Sequence, residues 1–393
     1  MLRRRARRPG ARLVRTYYTC AFLEDFVLLY PVYVLLFADT GLSAGAISSL
    51  FVLWSVAGFA LEVPSGLWAD LFSRRRLLVL APLLTGAGYA LWTLFPSYPA
   101  FAAGFLLWGA GGALRSGTEQ ALVYEELART GSASAYARVI GRAEALRTTA
   151  ILAATALAAP ALRMGGYTAT GLASVAVCVL GALAACAYPE SRAGRPGDGE
   201  QGTLSALLDV FRAGLREVRG SRAVRNAVLL VAVVSGVLAM DEYLPLLLRT
   251  FTADDAAVPL MLLVVSAGVA AGGWCAGHGE RWLGPALMAA AVLLAAGAAA
   301  GGTVAGPLLL AGAFGLFQWS MTTSEARLQH RLTDTARATV TSFAGFTSEV
   351  IAVLLFTAYA LTAAYGATPA AFFAAAATLY ALTGAFLVRG ATR

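Results

Sequence analysis

Ionisable side chains within long apolar stretches are the residues of this chain that point most directly to chemistry. Three such pairs occur in the first half of the sequence: Glu24 and Asp25, Arg115 and Glu119, and Glu144 and Arg147. The members of the last two pairs are four and three residues apart, so in a helix each pair shares one face. An ionisable group deep in a bilayer costs at least about 2.5–3.5 kcal/mol, so these exceptions to the apolar pattern need an explanation.

Counting along the alternating spans places these three pairs at a similar depth. Four acids then accompany two arginines, which leaves two acids without a basic partner. An unpaired acid in a medium of low dielectric constant is what a proton-coupling site needs. The alternative is a structural network that holds three helices together.

The second half contains a lone acid, Glu349, eleven residues into the apolar stretch 338–363. At 1.5 Å per residue this position is near the bilayer midplane. No arginine stands three or four positions away, so Glu349 is a candidate protonatable or cation-binding residue. Asp241 and Glu242 fall in the outer third of another apolar stretch, where they form part of an external gate or mark the membrane interface.

The amino-acid composition indicates whether the chain folds in water or in a lipid bilayer. The chain has 393 residues, of which 59% are hydrophobic and 13% charged, about half of the ~25% charged residues of a soluble domain. This balance predicts a membrane protein. All 30 basic residues are arginine, which is typical of a GC-rich bacterial genome.

Other classes of function find no support in the sequence. The net charge of +8 could indicate nucleic-acid binding, but the arginines lie in short loops between apolar stretches, so we expect no nucleic acid. The four cysteines form no CxxC pair and the two histidines lie in loops. We therefore expect no metal site and no cofactor.

Stretches of about 20 apolar residues can cross the hydrocarbon core. Twelve are found: 17–38, 44–64, 77–96, 99–123, 139–160, 167–188, 224–248, 256–277, 284–303, 305–325, 338–363 and 369–388. With this count nearly all loop arginines fall on one side, which the positive-inside rule assigns to the cytoplasm together with both termini.

This count divides the chain into five parts. They are a cytoplasmic basic tail (1–16), a six-helix bundle (17–188), a cytoplasmic linker with an amphipathic helix (189–223), a second six-helix bundle (224–388) and a cytoplasmic tail (389–393). GLWADLFSRR at 66–75 aligns with GGWCAGHGER at 272–281, after the second span of each half. Such an internal repeat is common in secondary transporters.

Several motifs resemble the major facilitator superfamily. Gly66, Asp70, Ser73, Arg74 and Arg75 are spaced like the signature of its loop between spans 2 and 3. EVPSG at 62–66, LRSGTEQALVYEEL at 114–127 and RLTDTARATVTSF at 331–343 are also similar to its members. Ser73 stands where glycine is usual, and the arginine signature that drug exporters carry in span 4 is not matched.

The resemblance implies an all-α membrane protein of 12 transmembrane helices in two six-helix bundles that open alternately to each side. It also implies that Asp70 pairs with an arginine and latches the cytoplasmic side, with Gly66, Arg74 and Arg75 in the same motif. The alternative is that the arginines only fix orientation. Trp54, Gln318 and Trp319 lie deep enough in their spans to line a substrate cavity.

These features predict a secondary active transporter in the cell (inner or plasma) membrane. The first choice is proton-coupled efflux of a small amphipathic or drug-like molecule, and the alternative is proton-coupled import of a nutrient or metabolite. An integral membrane enzyme or a non-transporting scaffold is a remote alternative, because the loops are short and poor in histidine. The expected partners are a small-molecule substrate, protons and the lipid bilayer, and the protein is expected to be a monomer.

Overall fold

The computed structural model describes residues 9–116, 118–189, 212, 215–216, 218–277, 279–332 and 334–391. The side chains at 62–71 and 334–338 are not among the groups it describes. Within the described residues, the regular elements are all helices and none is a strand. The expected all-α class is therefore confirmed.

Seven α-helices precede the predicted linker and seven follow it in the described residues. The first group is α1 (Pro9–Asp25), α2 (Tyr33–Asp39), α3 (Ala44–Leu71), α4 (Arg74–Leu94), α5 (Tyr98–Arg115), α6 (Thr118–Arg129) and α7 (Tyr136–Ala185). The second is α8 (Arg222–Leu238), α9 (Leu244–Arg249), α10 (Val258–Trp274), α11 (Leu283–Ala299), α12 (Ala305–His330), α13 (Asp334–Ala364) and α14 (Pro369–Ala391). Judged by length and apolar composition alone, 8 helical segments of the described chain are able to cross a membrane.

Helix α7 contains two of the predicted spans. It runs for 50 residues, but its backbone is non-helical at Gly165 and at Gly166, where φ is +60°. That left-handed conformation is open to glycine without steric cost. An unbroken helix of this length would extend about 75 Å, far beyond the ~30 Å of a hydrocarbon core. The break lies within the predicted loop 161–166, where the sequence predicts that one span ends and the next begins.

The first predicted span differs from expectation at both ends. Helix α1 begins at Pro9, so residues 9–16 are helical rather than part of a tail, and Leu13 and Tyr17 are buried in one apolar cluster with Leu122. The helix then ends at Asp25, inside the predicted span 17–38, and α2 begins only at Tyr33. The Leu29 amide between them donates to Ser174 Oγ at 2.9 Å, which satisfies a buried backbone group that the break leaves without its helical partner.

Two further predicted spans are interrupted. The fourth is divided into α5 and α6 next to Ser116, and the seventh is divided by a 3₁₀ segment at Ala239–Tyr243 that contains Asp241 and Glu242. In a bilayer, interrupted helices expose backbone groups that must be bonded elsewhere, and such breaks often lie at transport sites.

The chain forms two compact units. One comprises Met1–Tyr30 and Leu53–Leu204, and the other Pro31–Val52 and Ser205–Arg393. Residues 31–52, assigned above to the first bundle, thus belong to the second unit, where Ser48 Oγ is hydrogen-bonded to Tyr243 Oη at 2.7 Å. The predicted amphipathic helix of the linker, based on Leu204, Leu207, Leu208, Phe211 and Leu215, lies largely outside the described residues.

Candidate functional site

The six charged residues singled out in the first half come together in the first unit. We call them the charge cluster: Glu24, Asp25, Arg115, Glu119, Glu144 and Arg147. The ends of three helices supply four of them, since α1 ends with Glu24 and Asp25, α5 ends with Arg115, and Glu119 is in the first turn of α6. The remaining two stand on α7. The helix breaks therefore position most of these charges.

Arg147 is the centre of the charge cluster. Its Nη1 donates to Glu24 Oε2 and lies 3.5 Å from Asp25 Oδ2. Its Nη2 donates to Glu119 Oε2 at 3.0 Å, and its Nε lies 3.6 Å from Glu144 Oε1. One guanidinium thus contacts carboxylates from three helices.

Arg115 pairs with the other oxygen of Glu24 rather than with Glu119. The sequence predicted that Arg115 and Glu119 share one face of a continuous helix, but the interruption near Ser116 ends that helix between them. Glu119 instead binds Arg147 and accepts a hydrogen bond from Tyr188 Oη at 2.8 Å. Tyr188 was missed by sequence reasoning because it stands at the very end of the sixth predicted span, where a tyrosine resembles an interface anchor.

Exposure differs sharply across the charge cluster. The Glu119 side chain is 8% exposed, that of Asp25 is 30% and that of Glu144 is 64%. Among the less exposed acids, Asp25 interacts most weakly with Arg147, because its one contact is the 3.5 Å distance between Asp25 Oδ2 and Arg147 Nη1. The charge cluster therefore holds four carboxylates and two guanidinium groups, and the carboxylate of Asp25 is held less tightly than those of Glu24 and Glu119.

An aromatic cluster accompanies these charges in the same unit. It comprises Tyr30, Trp54, Phe105 and Trp108. The Trp54 and Trp108 rings stack with centroids 5.0 Å apart, and Tyr30 meets the Trp108 ring edge-on at 5.9 Å. Trp54 was predicted to line a cavity; its ring is partly exposed and so can contact a ligand.

The predicted site residues of the second unit do not form a comparable cluster. Glu349 is exposed on α13. Gln318 donates to Thr322 Oγ1 at 3.4 Å, and the Trp319 ring lies beside Gly279. Within the described residues, no three acidic, histidine or cysteine side chains are grouped so that they could hold a metal ion.

The second unit has a polar group that the sequence indicated only in part. Tyr33 Oη donates to Glu242 in the 3₁₀ segment. Arg249 Nη1 pairs with Asp39 at 2.5 Å and its Nε with Asp255 at 3.1 Å. Asp39 was not singled out from the sequence because it stands at a helix end next to a predicted loop, where an exposed acid is ordinary.

The loop motif is described in part. The side chain of Asp70 and the surroundings of Gly66 lie outside the described set, although both residues are in α3. Arg74 Nη1 pairs with Glu125 at 2.8 Å within the first unit, and Arg75 is exposed. Ser73, which replaces the usual glycine, caps α4 by accepting a hydrogen bond from the Arg76 amide at 3.2 Å.

Comparison with solved structures identifies the fold. The nucleoside transporter NupG superimposes with a TM-score of 0.74 at 12% identity, covering 97% of this chain and 98% of that one. A D-xylose-proton symporter gives 0.66 at 15% identity, covering 98% and 96%. A bacterial homologue of the human lysosomal transporter Spinster gives 0.65 at 15%, with the same coverage. At these identities the likeness concerns the fold alone.

Comparison of the sequence places the chain in a family. No curated protein matches it. The family model of the Major Facilitator Superfamily matches residues 17–355, which is most of the chain and agrees with the motifs and the fold. This protein is therefore a multi-pass membrane transporter, not an enzyme, and it belongs to the Major Facilitator Superfamily.

Proposed function

We propose that this protein is a secondary active transporter that exports a small amphipathic or drug-like molecule in exchange for protons, by alternating access. The observation that carries the proposal is the charge cluster, in which Arg147 contacts four carboxylates. We assign proton coupling to it, with Asp25 as the first acceptor. The twelve crossings and the inner-membrane location remain part of this proposal.

The contacts of Asp25 suggest how a proton could drive a change. When Asp25 is ionised, it attracts Arg147 across 3.5 Å in competition with Glu24 and Glu119. Protonation removes that attraction, so the guanidinium can move toward the other two. Since α1 and α7 carry the partners, the proton then changes how these helices are held together.

The aromatic cluster supports an amphipathic substrate. Stacked tryptophans present flat apolar faces that bind rings and, when desolvated, organic cations. Excess carboxylate in the same unit favours a neutral or cationic molecule over an anion. Trp54 is the ring that we expect to contact substrate.

Import of a nutrient is the second candidate. It is favoured by the fold likeness to proteins titled as a nucleoside transporter and as a D-xylose-proton symporter. The direction of flux relative to an imposed pH gradient separates it from export.

The test is flux in proteoliposomes with an imposed pH gradient and a clamped membrane potential. Ethidium and rhodamine 6G serve as amphipathic probes, and uridine and D-xylose as nutrient probes. For export, we expect dye to move against the direction of proton flow, and Asp25→Asn and Glu349→Gln to abolish gradient-driven flux while the protein still inserts. Glu325→Gln, an exposed acid at the inner end of α12, is the matched control.

Two outcomes would contradict the proposal. Flux that follows the proton would replace export by import. Unchanged pH-dependent transport in both Asp25→Asn and Glu349→Gln would refute the assignment of proton coupling to these acids.

A further inference from the structure

A groove runs along the inner half of the second unit, between α8 and α14. We call it the inner groove. Its volume is 1010 Å³, and α11 and α12 contribute to its floor and to its inner end. Leu229 and Val233 line it from α8, and Leu382 and Phe386 line it from α14.

The groove exists because α14 packs against α11 rather than along α8. Gly284 and Gly384 allow this approach: a Cβ at Gly284 would come within 2.9 Å of the Gly384 carbonyl oxygen, and a Cβ at Gly384 within 2.6 Å of the Gly284 carbonyl oxygen. Farther out, Tyr380 Oη donates to the Val234 carbonyl at 3.2 Å and joins the two helices. The space between α8 and α14 begins next to this hydrogen bond, at Val233 and Leu382, and extends to Arg331.

The walls of the groove are apolar and open to the outside of the unit. Leu229 is 48% exposed, Leu382 63% and Phe386 69%. In a bilayer such side chains face hydrocarbon, so the exposed walls suit acyl chains.

The inner end of the groove carries a concentration of arginine. Arg281, Arg327 and Arg331 line it, and Glu280 is the one acid among the lining residues that the structure describes. Arg327 is paired with Glu280 at 2.9 Å, whereas Arg331 donates to the Ala223 carbonyl at 3.1 Å and Arg281 lies over the Trp282 ring at 5.7 Å. Neither Arg281 nor Arg331 has a carboxylate partner within the described residues, so this end has a net positive charge.

The apolar walls and the arginine-rich end of the groove together fit a ligand that has both acyl chains and an anionic group. A phosphate group pairs well with several guanidinium groups, which offer multiple N–H donors in a planar fork. Basic pockets between transmembrane helices on the cytoplasmic side suit anionic headgroups. We propose that the inner groove binds an anionic phospholipid, with its phosphate against Arg281 and Arg331 and its acyl chains along Leu229, Leu382 and Phe386.

The test measures lipid binding to the full-length protein. Phosphatidylglycerol, phosphatidylethanolamine and inorganic phosphate are titrated into purified protein, and retained ligand is counted by native mass spectrometry, with thermal unfolding as a second readout. Phosphatidylglycerol should bind best and raise Tm, because a ligand that binds the folded state stabilises it. Arg281→Gln with Arg331→Gln should weaken that binding by about 30-fold.

The control removes the same charge elsewhere. Arg138→Gln with Arg142→Gln, two exposed arginines at the start of α7, should leave phosphatidylglycerol binding unchanged. Leu382→Trp fills the groove but keeps all three arginines, and it should also displace the lipid. Equal loss in the control pair would show a general surface attraction and overturn the proposal.

The ligand series identifies the source of the phosphate. Equal binding of phosphatidylethanolamine would remove the requirement for an anionic headgroup. Inorganic phosphate binding as tightly as phosphatidylglycerol would mark a site for a soluble anion. Retention of phosphatidylglycerol by both the arginine pair variant and Leu382→Trp would likewise overturn the assignment.

Discussion

Arg147 connects the helices of the first unit through contacts with four carboxylates. A buried charge is tolerated where it is paired and hydrogen-bonded, and Glu119 depends on this arginine and on Tyr188 for that pairing. The sequence predicted the charge cluster because charged residues are rare in apolar stretches. Which pairs form was not predicted, because residues 99–123 were read as one continuous span although the Ser116-Gly117 dipeptide between Arg115 and Glu119 is a turn signal.

Replacing Arg147 by glutamine should destabilise the protein by about 3 kcal/mol, because Glu119 is left buried without its cation. The free energy of unfolding is measured by denaturant titration in mixed micelles. Adding Glu119→Gln to Arg147→Gln should restore part of the loss by removing the stranded charge. If the double variant is no more stable than the single one, the Arg147–Glu119 pair is not the source of the effect.

Helix breaks are the elements that differed most from the sequence prediction. Hydropathy averages over about a helix length, so it registers α1 and α2 as one span although the chain between Asp25 and Tyr33 is not helical. Acidic residues within the apolar stretches marked two of these breaks: Glu24 and Asp25 precede one break, and Asp241 and Glu242 lie in another. The start of α1 at Pro9 was missed because its arginines lower the local hydropathy, while Leu13 and Tyr17 still pack inward.

The break in α7 predicts that replacing Gly166 by alanine lowers the stability of the protein. Gly166→Ala should cost about 1–3 kcal/mol, because its backbone angles, φ +60° and ψ −153°, lie in a region that is essentially confined to glycine. No atom stands within 4 Å of a Cβ added there, so steric overlap contributes nothing. Gly141→Ala is the control, since it is equally open but helical, and it should be neutral or slightly stabilising. Equal thermal unfolding midpoints for the two variants would exclude backbone strain at Gly166.

At the scale of the whole molecule, the two halves repeat a contact with the charges exchanged. Arg74 at the start of α4 pairs with Glu125 on α6 at 2.8 Å, and Glu280 just before α11 pairs with Arg327 on α12 at 2.9 Å. Each pair joins the segment after the second predicted span of its half to the residues just past the fourth predicted span. A shared position with opposite charges supports the internal repeat predicted from GLWADLFSRR and GGWCAGHGER.

We propose that Asp70 acts on the transport cycle of the whole protein. Asp70→Asn should slow turnover without weakening substrate binding, because the latch that the family resemblance implies would act between states and not at the substrate. Turnover is measured as flux in proteoliposomes, and binding by quenching of tryptophan fluorescence. Asp70→Glu keeps the charge and should retain most of the turnover. Loss of the binding signal in Asp70→Asn would refute the latch.

The placement of residues 31–52 in the second unit has a consequence for a divided protein. This segment is covalently part of the first half but is held by Ser48 on Tyr243 and by Asp39 on Arg249. A polypeptide ending in the linker would therefore still carry a piece that completes the other polypeptide. Two fragments obtained by dividing the chain between residues 190 and 211 and produced together should therefore copurify, because residues 31–52 of the first fragment bind the second.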